Sequence, residues 1–483
     1  MKHRTKLLLI QYCGNAFFSI LSAALVQIIF FGKLNFIDSL FLIVAFGILS
    51  LQKAARTISF SVCCCFALLL PAALVMRGGI FTPVVLDVVA SSNTGEAWDF
   101  ISTLPTRFIY IGGGVLLLLA LFFWFCKSLN SGNFKIKLTS VILCFCAFVL
   151  NHLNAFALVK NEMQKLSVDN LPPTSWQVSQ KADRFDTYVL VLGESMRADF
   201  MSLYGYQHTT TPFLDGLNKT YLEKYVATGV NTVIALPRAL ALTNKDGQLI
   251  EQDNIITLAK KAGLKTYWLS GQGYAGNGVI SRVSNFADHQ FFTKKDDLDL
   301  FPVIEKVLRQ PEKKLVIIHL FGSHEHACNR VKNYGIHFNT GGGKLIDCYA
   351  SSVKKTDFVL QTIHNHLIAN LQSWSLIYFS DHGMNFVPSG NDYKVFRDER
   401  VQTSYDVPFI EANSMMTETT KLEGIFSAKD FVNYVPTWLG VETNLTPRGF
   451  TLNNLQNQSP EVRGYEKSFN FIELESGRIA SEH

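Results

Sequence analysis

Hydrophobic and polar positions divide the chain into two regimes. Up to about residue 160 the apolar residues form long runs bounded by basic residues, and beyond it they form short runs between polar and amphipathic stretches. Four of the long runs, 7–31, 57–76, 108–126 and 138–159, are about 20 uncharged residues each, enough to cross ~30 Å of hydrocarbon as helices. A fifth run, 36–52, is shorter and contains Asp38; it is counted as a span because the basic clusters on either side need a crossing between them. Lys2, Arg4 and Lys6 precede the first span, Lys53 and Arg56 lie between the second and third, and Lys127, Lys135 and Lys137 lie between the fourth and fifth. The opposite loops hold only Lys33, Arg77 and Arg107, so the amino terminus is expected in the cytoplasm and everything after residue 160 outside it. A cleaved signal peptide is the alternative for the first run, but no clear small-residue cleavage site follows it.

Residues 161–186 are polar around Pro172 and Pro173 and read as a linker. From 187 to 483 the pattern changes to short β-rich runs, at 188–192, 265–269, 315–320 and 375–379, interleaved with amphipathic stretches such as 255–262 and 352–371. Strands alternating with helices predict an α/β domain with a mostly parallel sheet covered on both faces. The expected architecture is a five-helix transmembrane domain over 1–160 followed by a globular α/β domain.

Composition supports the division: 48% hydrophobic and only 17% charged residues, against roughly 25% charged in soluble proteins, place part of the chain outside water. The formal charge of +5 owes much to the membrane flanks, and no basic face with interleaved aromatics suggests nucleic acid as a partner. Cys13, Cys63, Cys64, Cys65, Cys126, Cys144 and Cys146 fall in or beside spans, where they act as small apolar residues. Only Cys328 and Cys348 belong to the globular part, and they read either as a disulfide or as two reduced thiols.

Three of the β-rich runs end in polar chemistry: Gly193-Glu194-Ser195, His319-Leu320-Phe321-Gly322-Ser323-His324, and Ser380-Asp381-His382-Gly383. Parallel strands bring such ends to a common edge, where α/β sheets bind ligands. Glu194, Asp381 and His382 then offer two carboxylates and an imidazole, a donor set that suits zinc with one position open. The alternative for Glu194 and Ser195 is a simple helix cap.

The segment GESMRADFMSLYGYQHTTTPFL (193–214), with TYWLSGQ (266–272), HLFGSH (319–324), TDFVL (356–360) and YFSDHG (378–383), resembles the phosphoethanolamine transferases of Gram-negative inner membranes, within the alkaline phosphatase and arylsulfatase superfamily. The resemblance implies five amino-terminal spans and a periplasmic catalytic domain with a sulfatase-like fold. It implies zinc held by Glu194, Asp381, His382 and the nucleophile Thr232, five residues before Pro237, with Thr228 as rival. It also implies a phosphate contact or acid role for His324, with His319 and His326 as neighbouring candidates. Many relatives carry a glutamate after the DHG and a further histidine downstream; here Met384 and Asn385 follow and the next histidine is His483, so the sequence leaves one or two metals open. Arg397 or Arg400 is expected to contact phosphate instead. The loop SSNTGEAWDF (91–100) resembles the segment that grips a lipid headgroup, with Glu96 for the ammonium and Ser92 and Asn93 for hydrogen bonds; an interfacial helix with Trp98 at headgroup depth is the ordinary alternative.

The activity the resemblance implies is transfer of phosphoethanolamine from phosphatidylethanolamine to lipid A or core sugar of lipopolysaccharide through a phospho-threonine, by a membrane-embedded monomer. The enzymatic alternatives are a phosphoglycerol transferase resembling lipoteichoic acid synthase or another sulfatase-superfamily phosphotransferase or hydrolase acting on an envelope glycan, and the sequence leaves lipid A phosphate, a core heptose and a periplasmic glucan open as acceptors. A sulfatase needs Cys or Ser in a C/S-x-P-x-R context, where this chain has Ala235 and an Arg238 one position early. A transporter would bury charges in its spans, where only Asp38, Asn151 and His152 come close; a lipid-binding receptor would hold no metal.

Overall fold

A computed structural model of the chain describes residues 2–76, 106–125, 173–272, 279–293, 296–390, 392–396, 398–465 and 467–478, together with Ile101, Leu104, Ile142, Cys146 and Leu150. The chain forms two compact units, Met1–Ser167 and Val168–His483. The first contains helices α1 (Lys2–Phe31), α2 (Phe36–Ser50), α3 (Lys53–Met76) and α4 (Thr106–Phe125). Of these, α1, α3 and α4 pack through Phe18, Leu25, Cys63, Leu70 and Leu119, and α2 packs on α1 through Leu42 against Ala23 and Val26. Segments of α1, α3 and α4 are long and apolar enough to cross a membrane, whereas α2 has 15 residues and falls short. The expected span 138–159 lies almost wholly outside the described residues. Asn35 caps α2 through Ile37 N at 2.9 Å, and its own N–H donates to Gln27 Oε1 at 2.6 Å, so the α1–α2 turn satisfies its polar groups internally.

The second unit is built on a nine-stranded sheet. Its strands are β1 (Thr187–Gly193), β2 (Thr220–Val226), β3 (Lys265–Ser270), β4 (His289–Phe292), β5 (Lys314–His319), β6 (Trp374–Ser380), β7 (Asp406–Val407), β8 (Phe409–Asn413) and β9 (Thr420–Ser427). The order is β7-β2-β8-β6-β1-β5-β3-β4, with β9 alongside β2. The run from β6 to β4 is parallel, while β8 pairs antiparallel with both β6 and β2.

All seven residues of β1 are buried because both faces of the sheet are covered. Tyr188, Leu190 and Leu192 face one layer, to which α5 (Thr232–Leu240), α6 (Ile255–Lys261) and the carboxyl-terminal helix Phe431–Leu439 contribute. Val189 and Val191 face the other, formed by Phe301–Leu308 and the long helix Lys344–Asn370. Each such fully buried aliphatic side chain contributes about 1.5–3 kcal/mol, so the strands that carry the site are the hardest part of the domain to deform.

The described part of the segment expected as a linker is packed into this unit: Trp176 is 2% exposed and donates its indole N–H to Asn254 O at 3.1 Å. Ala182 and Phe185 join the same core, so from residue 173 the chain is part of the domain wall. Cys328 and Cys348 are joined in a disulfide, which ties the short helix Ala327–Arg330 to Lys344–Asn370.

Candidate active site

The site begins as a matter of register. β1 and β6 run parallel with Gly193 opposite Ser380, so Glu194 and the Asp381-His382 pair leave the sheet together at its carboxyl edge. β5 flanks β1 on the other side with His319 opposite Leu192, which brings the 319–324 loop to the same edge. The backbone crowds there. A Cβ on Gly193 would lie 2.7 Å from the Tyr378 hydroxyl, and one on Gly322, at φ +48°, would lie 3.0 Å from both N and O of Glu194. Ser195 adopts φ +54°, a costly conformation for a residue with a side chain. It is held by three bonds: its N–H donates to Asp381 Oδ1 (3.1 Å), its hydroxyl to Glu194 Oε1 (2.6 Å), and its carbonyl accepts from Tyr349 (2.7 Å). Glu194 and Ser195 therefore cap no α-helix; the following turn, Ala198–Phe200, is a short 3-10 turn.

Thr232 arrives from a different element, as the first residue of α5. Asn231 caps that helix by accepting from Ile234 N at 2.9 Å, which fixes Thr232 at the positive end of the helix. Its hydroxyl donates to Glu194 Oε2 at 2.9 Å and lies 3.4 Å from His382 Nε2. His382 Nε2 is 3.2 Å from Glu194 Oε1 and 3.5 Å from Asp381 Oδ2. His382 Nδ1 is 2.7 Å from the Gly383 carbonyl, which can only accept, so Nδ1 is protonated and Nε2 is the atom turned to the cluster. Glu194, Asp381 and His382 are 0%, 3% and 2% exposed, while Thr232 is half-buried: the charged groups are sealed and the hydroxyl stands at the opening.

Burial alone would raise the Glu194 carboxyl, but the hydrogen bond and charge of His382, together with the charge of His324, outweigh it and hold the group well below the usual range. Burial, followed by the Glu194 charge, pushes Asp381 up to about 7. Two adjacent carboxyls driven in opposite directions mark a site short of positive charge. Among the described residues Asp381 Oδ2 is buried and has no hydrogen-bond donor, although a carboxylate oxygen so placed needs a partner. Ligand atoms of Glu194, Asp381 and His382 all lie within 4.8 Å of one another. With the Thr232 hydroxyl they form an O,O,O,N set whose spacing suits four bonds of roughly 2 Å to one divalent cation.

The structure thus brings Glu194, Thr232, Asp381 and His382 together. Thr228 is turned elsewhere, donating to Ala235 O at 2.8 Å. His324 stands half-buried beside the cluster, its ring stacked on Phe321 with centroids 5.3 Å apart; the Arg330 guanidinium lies over the Phe321 ring at 3.7 Å. His319 is buried, lies 3.1 Å from the Gln272 amide that links it to the cluster, and is lowered to about 4 by burial. Arg400 pairs with Asp398 at 3.6 Å. Ser92, Asn93, Glu96 and Arg397 lie outside the described residues. The sequence suggested no site role for Gln272 beyond its place in TYWLSGQ, marked Ser195 only as a strand-end residue or helix cap, and held no sign of Asp297. Asp297 accepts from the N–H groups of Phe321 (2.6 Å) and Gly322 (2.9 Å) and so shapes the His324 loop. The polar pair Ser270 and Gln272 directly after a buried run was the available signal for one of them; Asp297, which reaches in from a distant turn, left none.

Residues 186–441, over half of the chain, match the family model described as Sulfatase. The chain belongs to the sulfatase family. Among curated sulfatase-family relatives, phosphoethanolamine transferase OpgE of Escherichia coli is 31% identical over 329 residues, covering 64% of this chain and 61% of that one. The chain spans between 51% and 61% of the length of the first curated relatives it matches. Two solved structures share the fold. The lipooligosaccharide phosphoethanolamine transferase A (EptA) of Neisseria meningitidis aligns over 90% of this chain and 95% of its own, with TM-score 0.56 and 15% identity. The carboxyl-terminal periplasmic domain of EptC from Escherichia coli, in complex with Zn, aligns over 65% of this chain and 100% of its own, with TM-score 0.53 and 21% identity.

Proposed function

We propose that this sulfatase-family chain is a phosphoethanolamine transferase of the bacterial inner membrane, anchored by five crossings over residues 1–160, with residues 187–483 as its catalytic domain in the periplasm. The donor is phosphatidylethanolamine, and the acceptor is an oxygen of lipid A or of the lipopolysaccharide core; the chain works as a monomer. One observation carries this reading: Thr232, at a helix start, places its hydroxyl 2.9 Å from Glu194 and 3.4 Å from His382 at the edge where Asp381 also lies. The names of the curated relatives supply the transferred group, and the Zn complex of the EptC domain supplies the ion.

Glu194, Thr232, Asp381 and His382 would hold zinc. When bound, the ion lowers the cost of deprotonating the Thr232 hydroxyl and steadies charge on a phosphoryl oxygen. Thr232 Oγ attacks the phosphorus, losing its proton along its hydrogen bond to Glu194. The phosphorus–oxygen bond to diacylglycerol breaks, and His324 gives the departing alkoxide a proton. The positive end of α5 faces the phosphoryl charge that collects on Thr232. An acceptor hydroxyl then attacks the same phosphorus and passes its proton to His324, while the phosphorus–Thr232 bond breaks and Glu194 returns the proton it holds to Thr232 Oγ. Glu96, Ser92 and Asn93 hold the donor headgroup, and Arg397 contacts phosphate, on the strength of the sequence. Donor and acceptor are both lipids, so a membrane-anchored enzyme meets them by diffusion in two dimensions.

The test uses purified full-length protein and phosphatidylethanolamine labelled in its headgroup. Wild-type protein should acquire a covalent phosphoethanolamine on Thr232 and pass it to lipopolysaccharide, and Thr232→Ala should do neither. Acceptor labelling by Thr232→Ala would refute the nucleophile assignment, and labelling from phosphatidylglycerol instead would refute the donor.

A further inference from the structure

Gln272 stands two residues beyond β3 and holds none of the donor atoms, yet its side-chain nitrogen lies 3.0 Å from Glu194 Oε2, 2.8 Å from the Leu320 carbonyl and 3.1 Å from His319 Nε2. The amide end is unambiguous, because turning it over would aim its oxygen at a carboxylate and a carbonyl, neither of which can donate. The same side chain is locked from behind. Gln272 N–H donates to Ser270 Oγ at 3.2 Å, Ser270 Oγ lies 3.3 Å from His319 Nδ1, and His319 Nε2 returns to the Gln272 amide. The contacts close a ring that runs from the Gln272 backbone N–H through the Ser270 hydroxyl and the His319 imidazole back to the Gln272 side-chain amide, and it is pinned to the sheet where Gly271 N–H donates to His319 O at 2.8 Å.

Glu194 Oε2 is also the oxygen that accepts from Thr232. Its partner Oε1 is already fixed by Ser195 at 2.6 Å. A carboxylate with two fixed oxygens has no remaining rotation about its last bond, and Gln272 supplies the second restraint. We propose that Gln272, held by Ser270 and His319, is a positioning residue that aims Glu194 Oε2 into the donor set and thereby sets the cation affinity of the site. The proposal rests on the metal reading given above. It gives His319 a role that acts through Gln272, with no contact to the substrate of its own.

The experiment is a zinc titration of full-length protein in detergent against a competing chromophoric chelator, with melting of the zinc-stripped protein alongside. Gln272→Met keeps the length and removes the donor; zinc affinity should fall about 10–100-fold, the usual cost of losing an outer partner of a metal ligand, while the zinc-stripped protein melts as the wild type does. His319→Ala should weaken zinc in the same direction, and adding it to Gln272→Met should weaken zinc no further, since both act through one amide. Should Gln272→Met not fold, Gln272→Asn, which keeps the amide but shortens its reach, is expected to weaken zinc likewise. Wild-type affinity in the folded Gln272 variant would overturn the proposal. So would additive losses in the double variant, or a His319→Ala protein whose only change is a higher KM for phosphatidylethanolamine. A wild-type chain that binds no zinc would bring down the metal reading itself, an outcome distinct from zinc binding that is indifferent to Gln272.

Discussion

Gly322 offers a quantitative handle on how tightly the site is built. Its φ of +48° disfavours any side chain, and a Cβ there would stand 3.0 Å from both the nitrogen and the oxygen of Glu194, backbone atoms of a buried strand end that have little freedom to move. Gly322→Ala combines about 1–2 kcal/mol of backbone strain with about 1–3 kcal/mol of overpacking. At roughly 2 °C per kcal/mol for a domain of this size, melting should fall by about 4–10 °C. Gly205→Ala is the matched control: φ is +97° and nothing lies within 4 Å of the added carbon, so strain alone should cost about 2–4 °C. The assay is thermal unfolding of both full-length variants with and without zinc. Gly322→Ala should also bind zinc more weakly, because relieving the clash pushes Glu194 and stretches the 3.0 Å bond from Ser323 N–H to Glu194 O. Equal melting losses in the two variants, with zinc affinity unaltered in Gly322→Ala, would refute the claim that this glycine exists to let Glu194 approach.

Asp381→Asn should abolish zinc binding, read as metal content after dialysis. In metal-free protein the folded Asp381, pushed up to about 7, keeps a proton that the unfolded chain has already released, so wild-type stability should fall as pH rises from about 4 to about 7, and Asp381→Asn should lack that decline. Burial likewise raises Asp357, whose carboxylate caps Phe213 N (2.9 Å) and Leu214 N (3.0 Å), to about 6. The same sign applies, and Asp357→Asn should flatten the wild-type loss of stability between about pH 4 and 6 in urea titrations. Removing the Cys328–Cys348 bond, which closes a separation of 20 residues, with a double Ser substitution should cost about 3 kcal/mol, read as a lower denaturant midpoint.

The sequence revealed those parts of the fold that follow one physical rule at a time. The strands through Tyr188, Leu269, Ile317 and Tyr378 are short apolar runs because both faces are covered, and all four are found within a residue or two of their expected limits. Helix α5 was hidden because Pro237 interrupts TVIALPRAL, and because the Asn231 cap that starts it reads as an ordinary turn residue. Strand β9 was hidden because only its end is buried, leaving Lys421 and Glu423 exposed in a run without alternation. At the site, Glu194, Asp381 and His382 were legible as polar residues ending buried strands. Thr232 came from resemblance alone, since no local pattern separates it from Thr228. Gln272 and Asp297 act across sequence separations of 78 and 24 respectively, and contacts of that reach belong to topology, which local patterns do not encode.

The pairing of Gly193 with Ser380 has a consequence for how this protein matures. If β6 docked one residue out of step against β1, every side chain beyond Ser380 would point to the opposite face; two residues out of step would carry Asp381 and His382 about 6.6 Å along, farther than the 4.8 Å that encloses the donor atoms. On the proposed metal reading, a misaligned chain could not capture the ion, and cation capture would act as a proofreading step for the central strands, locking in only those molecules whose innermost alignment is already correct.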